Sequence, residues 1–409
     1  MTASWTPPDF AAARQRPIIE LVEGGPAAEV VLTQAQVDSL SASGLVLPTP
    51  TLRPGLWAVV AGRYVGAARV AGVDVWIRPK LPIRRLLLLL GYAYDLKAWR
   101  DETVEVAEDT DLLPAVATAF ARQAERAVEQ GLLQGYRVTE ESAPVLRGRI
   151  RTDEQLRRRF GLPVPLEIRY DDYTVDIPEN RILRTASERL LRMPRLPGPS
   201  RQSLLRLVRS MADVQPLPRG SQLPPWQATR LNSRYQPALR LGELVLKGGS
   251  IEHERGRVAV DGFMLDMAVV FEQFVTVALR EALAPEGGRV LGQPRYHLDE
   301  ERRITLKPDV VWQWPDGRPR AVVDAKYKAE KPSGYPNADV YQMLAYCTRL
   351  HLSRGHLLYA EGAAEPGYHR VVGSAVTVVQ NALPLDADPV TLLQRVAQVA
   401  SELGQAREG

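Results

Sequence analysis

Cysteine is almost absent: Cys347 is the only one in 409 residues. One thiol closes no disulfide and builds no Cys-ligated zinc or iron–sulfur site within a single copy. Long apolar runs are missing as well. The longest, Leu86–Tyr94, covers nine residues between Arg84-Arg85 and Asp95, well short of the roughly 20 that a membrane helix needs. The first ten residues, MTASWTPPDF, contain no apolar signal core, so the expected location is the cytoplasm, with no membrane partner. The five histidines (His253, His297, His351, His356 and His369) form no H-x-x-x-H or H-E-x-x-H pair, which disfavours a zinc hydrolase. No G-x-x-x-x-G-K-[ST] phosphate loop occurs, since LVLKGGS has the wrong order. The chain therefore has no recognisable nucleotide motor of its own.

Lysine is scarce too, with seven among 52 basic residues, and four of the seven lie between 307 and 331. An ammonium is a compact point charge and proton donor that arginine does not replace, so this clustering draws attention to that stretch. The overall net charge of +4 hides a strong asymmetry. Residues 144–240 hold 19 arginines, no lysine and nine acids, a net +10 against −6 for the remainder. Such a segment suits a polyanion, either nucleic acid or an acidic protein surface. Arginines on solvated helix faces would give the same count.

Periodicity divides the chain into three parts, 1–105, 106–247 and 248–409. Residues 1–105 read as β-rich, with short β-branched or aromatic runs at Glu29–Leu32, Leu56–Val60, Tyr64–Val70 and Val73–Ile77. Residues 106–247 read as helical and mixed. Helices are expected over Leu112–Leu133, Pro178–Met193, Gln202–Met211 and Leu231–Leu246, and a strand at Pro165–Tyr170. The second and third of these helices look like an αα-hairpin around the loop PRLPGPS. Gly248–Gly249 marks the boundary to an α/β part. There the expectation is helices at Met264–Leu283, Ala338–Leu350 and Pro389–Leu403, and strands at Arg303–Trp314, Arg320–Lys326, His356–Ala360 and Val371–Val379. The fold class is thus a multidomain mixture of α/β and α+β.

The segment LKPDVVWQWPDGRPRAVVDAKYK, residues 306–328, carries the chemistry. Asp324 and Lys326 stand at i and i+2 near the end of an apolar strand, so their side chains share one face. A hairpin through Pro315-Asp316-Gly317 would bring Asp309 beside them. Two carboxylates with neighbouring carbonyls and water make a hard oxygen site suited to Mg2+. Such an ion lowers the pKa of bound water, and a nearby ammonium offsets charge on a phosphodiester. A surface Asp–Lys ion pair would give the same bare D-x-K pattern. Cys347 reads as a core thiol, and Trp312 and Trp314 as core or rim residues before any stacking role.

Pro308-Asp309 followed by Asp324-Ala325-Lys326 resembles the PD-(D/E)xK nuclease superfamily. That resemblance implies a further glutamate on the preceding helix, matched by Glu272 in VVFEQFV. It also implies the Gln-x-x-x-Tyr of RecB-like members, matched by Gln342 and Tyr346. Outside this segment, IRPKLPIRRLLLLLGYA (77–93), PVLRGRI (144–150), YDDYTVDIPENRILRTA (170–186) and LNSRYQPALRLGELVL (231–246) resemble the McrC family over roughly residues 50–400. McrC is the nuclease subunit of McrBC-type, modification-dependent restriction systems.

The resemblance implies a catalytic set of Asp309, Asp324, Lys326, Glu272, Gln342 and Tyr346. Asp309, Asp324 and Glu272 would serve as ligands for Mg2+, with Mn2+ as the substitute. It further implies docking on a McrB-like AAA+ GTPase hexamer whose hydrolysis the chain stimulates, and double-stranded DNA whose 5-methylcytosine the partner reads. Transient dimerisation would serve double-strand cleavage. The arginine-rich segment acquires a second reading as the docking arm. Arg147, Arg149 and Arg181 are candidates to reach the partner's nucleotide, or else structural pairs for Asp171, Asp172 and Asp176. Two other functions remain open at this point: a stand-alone RecB-like repair nuclease, and a non-catalytic activator of an AAA+ motor. A Cas4-like enzyme would need four cysteines, which one cannot supply.

Overall fold

Alternating apolar residues and short Gly or Pro breaks in the first 80 residues favour strands over helices. A computed structural model, which describes residues 17–96, 111–193, 196–218, 220–248, 260–329, 337–362 and 365–405, shows what these strands build. They are β1 (Ile18–Val22), β2 (Ala28–Val31), β3 (Val46–Pro50), β4 (Leu56–Ala61), β5 (Tyr64–Val70) and β6 (Val73–Arg78). Strands β2, β4 and β3 form one antiparallel sheet. Strands β5 and β6 close a tight hairpin through Ala71 and Gly72, both at positive φ, the backbone twist that two-residue hairpins use.

Two helices belong to this β-rich part. Helix α1 (Gln34–Ser43) starts at a capping box between Thr33 and Gln36. Helix α2 (Ile83–Ala93) takes up most of the long leucine run, and that run is buried on all sides. Tyr92 meets Phe274 edge-on at 5.5 Å between ring centroids. The expected boundary near residue 105 lies outside the described residues.

In the arginine-rich part, four helices pack together: α3 (Leu112–Val128), α5 (Pro178–Leu191), α6 (Gly198–Ser210) and α7 (Gln236–Gly248). Helices α5 and α6 form the expected hairpin, although residues 194 and 195 of its loop lie outside the described set. Between α3 and α5 runs a three-stranded antiparallel sheet, β7 (Gly135–Ala143), β9 (Leu166–Thr174) and β8 (Arg149–Ile150), together with the short α4 (Thr152–Arg159). Across 135–174 the only buried apolar side chain is Ile168, while Tyr136, Val145, Leu156, Phe160, Leu162 and Tyr173 are exposed.

Beyond 259, strand β10 (Val260–Asp266) pairs with β5 along its whole length, completing a sheet of order β1-β6-β5-β10. Helix α8 therefore begins at Met267 and runs to Ala282, capped by the Asp266 side chain on the Ala268 amide. The helical spacing that suggested a start at Met264 loses to this pairing, because Met264–Asp266 complete ladder bonds with Tyr64–Gly66. Residue 249 of the expected boundary, and the ten that follow, are outside the described residues.

The remaining strands are β11 (Arg289–Gly292), β12 (Tyr296–His297), β13 (Thr305–Leu306), β14 (Val310–Gln313), β15 (Pro319–Ala329), β16 (Arg354–Glu361), β17 (Gly367–Arg370) and β18 (Thr377–Ala382). Six of them form a sheet of order β11-β14-β15-β16-β18-β17, in which β15, β16 and β18 are parallel. The single strand expected over Arg303–Trp314 is two. Pro308 has no N–H to give the ladder, and the chain leaves β13, paired with β12, to start β14 against β15. The strand expected at Val371–Val379 begins only at Thr377, because Val371–Val376 form the turn joining β17 to β18.

Two helical layers cover the sheet. Helices α8 and α10 (Pro389–Gln405) cover Val310, Trp312, Ala321 and Val323. Helix α9 (Asn337–Leu350) covers Val311, Val322, Leu357 and Tyr359 with Met343, Tyr346 and Cys347. Cys347 is fully buried, which pushes its thiol up to about 12. Trp312 is buried and Trp314 is on the rim, with the Arg320 guanidinium 3.9 and 4.0 Å from their ring centroids.

The β5–β10 ladder depends on Gly66, at φ +131° with no room for a side chain: a Cβ there would lie 2.2 Å from the Phe263 carbonyl oxygen. Gly66→Ala should cost about 3 kcal/mol of stability, read as a lower midpoint in urea unfolding. An unchanged midpoint would show that β10 is not held this tightly.

Candidate active site

Strand parity decides which side chains can meet. In β15, Val322 faces α9, so Asp324 and Lys326 point to the same layer, whereas Val323, Ala325 and Tyr327 face α8. In β14, Val311 faces α9, which puts Asp309, two residues earlier, on that side also. The antiparallel register pairs Val310 with Val323 and so sets Asp309 across from Asp324.

The side chains complete the arrangement. Asp309 Oδ2 accepts the Ala325 amide at 2.7 Å. Asp324, only 2% exposed, holds the Lys326 Nζ at 2.5 Å. Lys326 Nζ donates to Gln342 Oε1 at 2.8 Å, Gln342 Nε2 to the Tyr346 hydroxyl at 2.7 Å, and that hydroxyl to the Lys307 carbonyl at 3.1 Å. The i, i+4 spacing of Gln342 and Tyr346 thus places both on the face of α9 that looks at Lys326. Asp309, Asp324, Lys326, Gln342 and Tyr346 are brought together.

Glu272 shares no hydrogen bond with them among the described residues, although its charge acts on Asp309. It comes from α8, on the other layer of the sheet, and its carboxylate takes a hydrogen bond from Gln293 Nε2. Burial pushes its pKa up, the charge of Asp324 adds to this, and the Gln293 bond and the charge of Lys307 oppose it. One neighbour was not anticipated from the sequence. Asp339 is buried in the first turn of α9, accepts from the Tyr359 hydroxyl at 3.0 Å and lies 3.9 Å from Lys326 Nζ. Its position three residues before Gln342, on the same helix face, was the available signal.

Electrostatically the site is short of positive charge. Burial, then Asp324 and Glu272, raise the Asp309 carboxyl to about 8. For Lys326, burial works against the charged form, but the charge and hydrogen bond of Asp324 outweigh it and hold its pKa above the usual lysine value. Among the described residues no group of three or more His, Cys, Asp or Glu side chains is arranged to share one metal ion. The donor set on offer is the two carboxylates of Asp309 and Asp324 with the carbonyls of the strand ends. It fits a hard divalent cation, whose charge would relieve the repulsion on Asp309.

The three arginines do not belong to this site. Arg181 is tied to Asp176 through two bonds of 2.7 and 2.6 Å and to Gln215, and Arg137 joins the same carboxylate. Arg147 pairs with Asp172 at 3.0 Å and lies over the Tyr170 ring. Arg149, exposed on β8, has no ion-pair partner among the described residues. The acids of YDDYTVD therefore act as arginine partners at Asp172 and Asp176, while Asp171 is exposed and outside any ion pair among the described residues.

Three comparisons with known proteins bear on this arrangement. The family model described as McrBC 5-methylcytosine restriction system component matches residues 59–360. A solved structure described as a refined half-complex from the tetradecameric assembly of Thermococcus gammatolerans McrB AAA+ hexamers with bound McrC is similar over 94% of this chain and 99% of the matched one. Its identity is 18% and its TM-score 0.59, a likeness of fold. A chain of the Thermococcus gammatolerans McrBC complex aligns over 65% of this chain and 88% of its own, at 20% identity and a TM-score of 0.38. No curated protein matches.

The raised Asp309 carboxyl has a consequence for stability. Unfolded, it ionises near pH 4, and folded at about 8. The folded form therefore binds the extra proton between these values, and the cation-free chain loses stability as pH rises through that window. Asp309→Asn should flatten this slope and, in chelator at pH 8, raise stability by about 1–2 kcal/mol. Urea unfolding at pH 5 and pH 8 reads the effect, and an undiminished slope in the variant would contradict it.

Proposed function

The chain belongs to the McrBC family of 5-methylcytosine restriction system components, and from that premise we propose that it is the DNA-cutting subunit of such a system, a divalent-cation-dependent phosphodiester hydrolase. The observation that carries this reading is the meeting of Asp309, Asp324 and Lys326 at one point of the β14–β15 pair. A helix before the hairpin, a helix after it bearing Gln342 and Tyr346, and a parallel strand beyond support a PD-(D/E)xK layout for residues 248–409.

Asp309 and Asp324 would hold Mg2+, or Mn2+ in its place, and the ion supplies a water of lowered pKa and charge stabilisation on the phosphate. Lys326, kept protonated by Asp324, can orient that water and offset charge building on the phosphate oxygens. Gln342 and Tyr346 fix the ammonium by a chain of hydrogen bonds anchored on the Lys307 carbonyl. Glu272 is then an outer carboxylate, held by Gln293 and felt by Asp309 through charge.

The chain contains no phosphate loop, so a motor has to come from elsewhere. In the Thermococcus gammatolerans structure McrC is bound to McrB AAA+ hexamers, and a McrB-like AAA+ GTPase hexamer is the partner proposed here. The β7-β9-β8 sheet with its exposed Tyr136 and Tyr173, the exposed Phe160 that follows α4, and Arg149, which has no ion-pair partner among the described residues, support residues 106–247 as the docking segment. Methylated double-stranded DNA would be read by that partner, and two copies of this chain would cut the two strands.

Reconstitution with the AAA+ partner, GTP, Mg2+ and methylated duplex DNA tests the whole reading. Asp309→Ala, Asp324→Ala and Lys326→Ala should each lower cutting by at least about 100-fold while leaving stimulation of GTP hydrolysis intact. Chelation of the divalent cation should do the same to cutting. Undiminished cleavage by Lys326→Ala would remove the mechanism.

A further inference from the structure

An ammonium has three donors; at Lys326 one goes to Gln342 at 2.8 Å, and the Asp324 carboxylate lies 2.5 Å away as its ion-pair partner. A second carboxylate oxygen, Asp339 Oδ1, stands 3.9 Å away. Asp339 is 6% exposed, in a chain where buried acids are few. It sits in the first turn of α9, where unpaired backbone N–H groups and the helix dipole favour a carboxylate. Its other oxygen accepts the hydroxyl of Tyr359, a residue 1% exposed and directly opposite Lys326 in the β15–β16 register. The carboxylate is thus gripped from the strand as well as from the helix.

We propose that Asp339, oriented by Tyr359, is a positioning residue that, alongside Gln342, keeps the Lys326 ammonium at the active site. The reason lies in the demands on Asp324. Under the nuclease reading, on which the chemical consequence of this proposal rests, Asp324 is both a cation ligand and the ion-pair partner of Lys326. One carboxylate shared between two cations holds each more weakly, and a flexible four-carbon stem with 19% of its surface exposed has solvent to turn to. A second carboxylate, outside the cation's donor set and locked by a buried tyrosine, leaves Lys326 an anchor that the cation does not compete for. Asp339 touches none of the reacting atoms. It acts through Lys326.

The test uses the full-length chain and the scarcity of lysine: seven residues, each of which can be followed separately. The chain is acetylated with N-hydroxysuccinimidyl acetate at fixed pH, with and without Mg2+, and modification at each lysine is timed by mass spectrometry. In Asp339→Asn, Lys326 should be labelled several-fold faster, most clearly with Mg2+ present, while Lys80 and Lys247 keep their rates. Tyr359→Phe should move Lys326 the same way to a smaller extent, and Asp339→Glu should restore protection. In the reconstituted complex, Asp339→Asn should lower kcat about 10-fold or more with little change in KM for DNA. An unchanged Lys326 rate overturns the proposal, as does a rise shared equally by Lys80 and Lys247, which would mean a loosened fold. Failure of the nuclease reading shows up elsewhere, as absence of cleavage by the unmodified complex, and leaves the labelling result to be judged on its own.

Discussion

The antiparallel pairing of β14 with β15 is the constraint on which the site depends. It fixes Val310 opposite Val323, and a slip of one residue would turn every side chain of one strand to the other face. Asp309 would then face α8, away from Asp324, and the convergence would be gone. The apolar side chains defend the register: Val310, Trp312, Ala321 and Val323 fill one layer, and Val311 and Val322 fill the other. Pro308 fixes where β14 begins, so the carboxylate of Asp309 falls just beyond the last ladder bond and can take the Ala325 amide instead. Charge is placed at the end of a strand whose middle is too apolar to move.

Around this pair the N-terminal part acts as a support rather than a separate body. Strand β10 completes the β1-β6-β5 sheet and passes directly into α8, the helix that packs under β15. A polar clasp ties the same parts from another side. Glu23, just past β1, accepts the Tyr327 hydroxyl at 3.2 Å and the Lys80 amide, and Lys80 pairs with Glu361 at the end of β16. Tyr327 directly follows Lys326 on the strand and faces the opposite layer. Burial raises the Glu23 carboxyl, and the Lys80 amide and Tyr327 hydroxyl draw it back toward the ionised form. The strand carrying Asp324 and Lys326 is therefore held on both its faces, by α9 on one and by α8 and the N-terminal sheet on the other.

How much of this was legible in the sequence follows from which forces are local. Tyr64–Val70 and Val73–Arg78 could be read because their alternation and the turn between them are properties of neighbouring residues. Gln342 and Tyr346 could be read because helical spacing alone puts them on one face. Met264–Asp266 could not, since it carries an apolar pattern compatible with a helix and becomes a strand only through β5, some 200 residues away. The helix over Ile83–Ala93 hid in a run of leucines that is buried all round and so shows no period. Asp339 was hard to read for a related reason. Its importance comes from Tyr359 and Lys326, which reach it from two other strands, and its spacing from Gln342 gains meaning only once those strands are in place.

The arginine-rich segment shows why net charge and available charge differ. Arg137 and Arg181 converge on Asp176, Arg147 on Asp172, and Arg206 on Glu125. Arg184 bonds Glu188 and the carbonyls of Met211 and Ala212. Arginines held this way organise helices and strands and have few donors left for phosphates, so the count of +10 overstates the attraction for DNA. What the same segment leaves uncovered is apolar. Phe160 is 88% exposed, Tyr136 78% and Val145 73%, on or beside a sheet with a single buried apolar side chain. Exposed apolar groups gathered on so thin an element are expensive in water and favour a protein partner that covers them. A DNA groove would present the reverse, free guanidinium groups over a well-filled core. The balance of free and paired groups, rather than the total charge, is what agrees with the docking role proposed for residues 106–247.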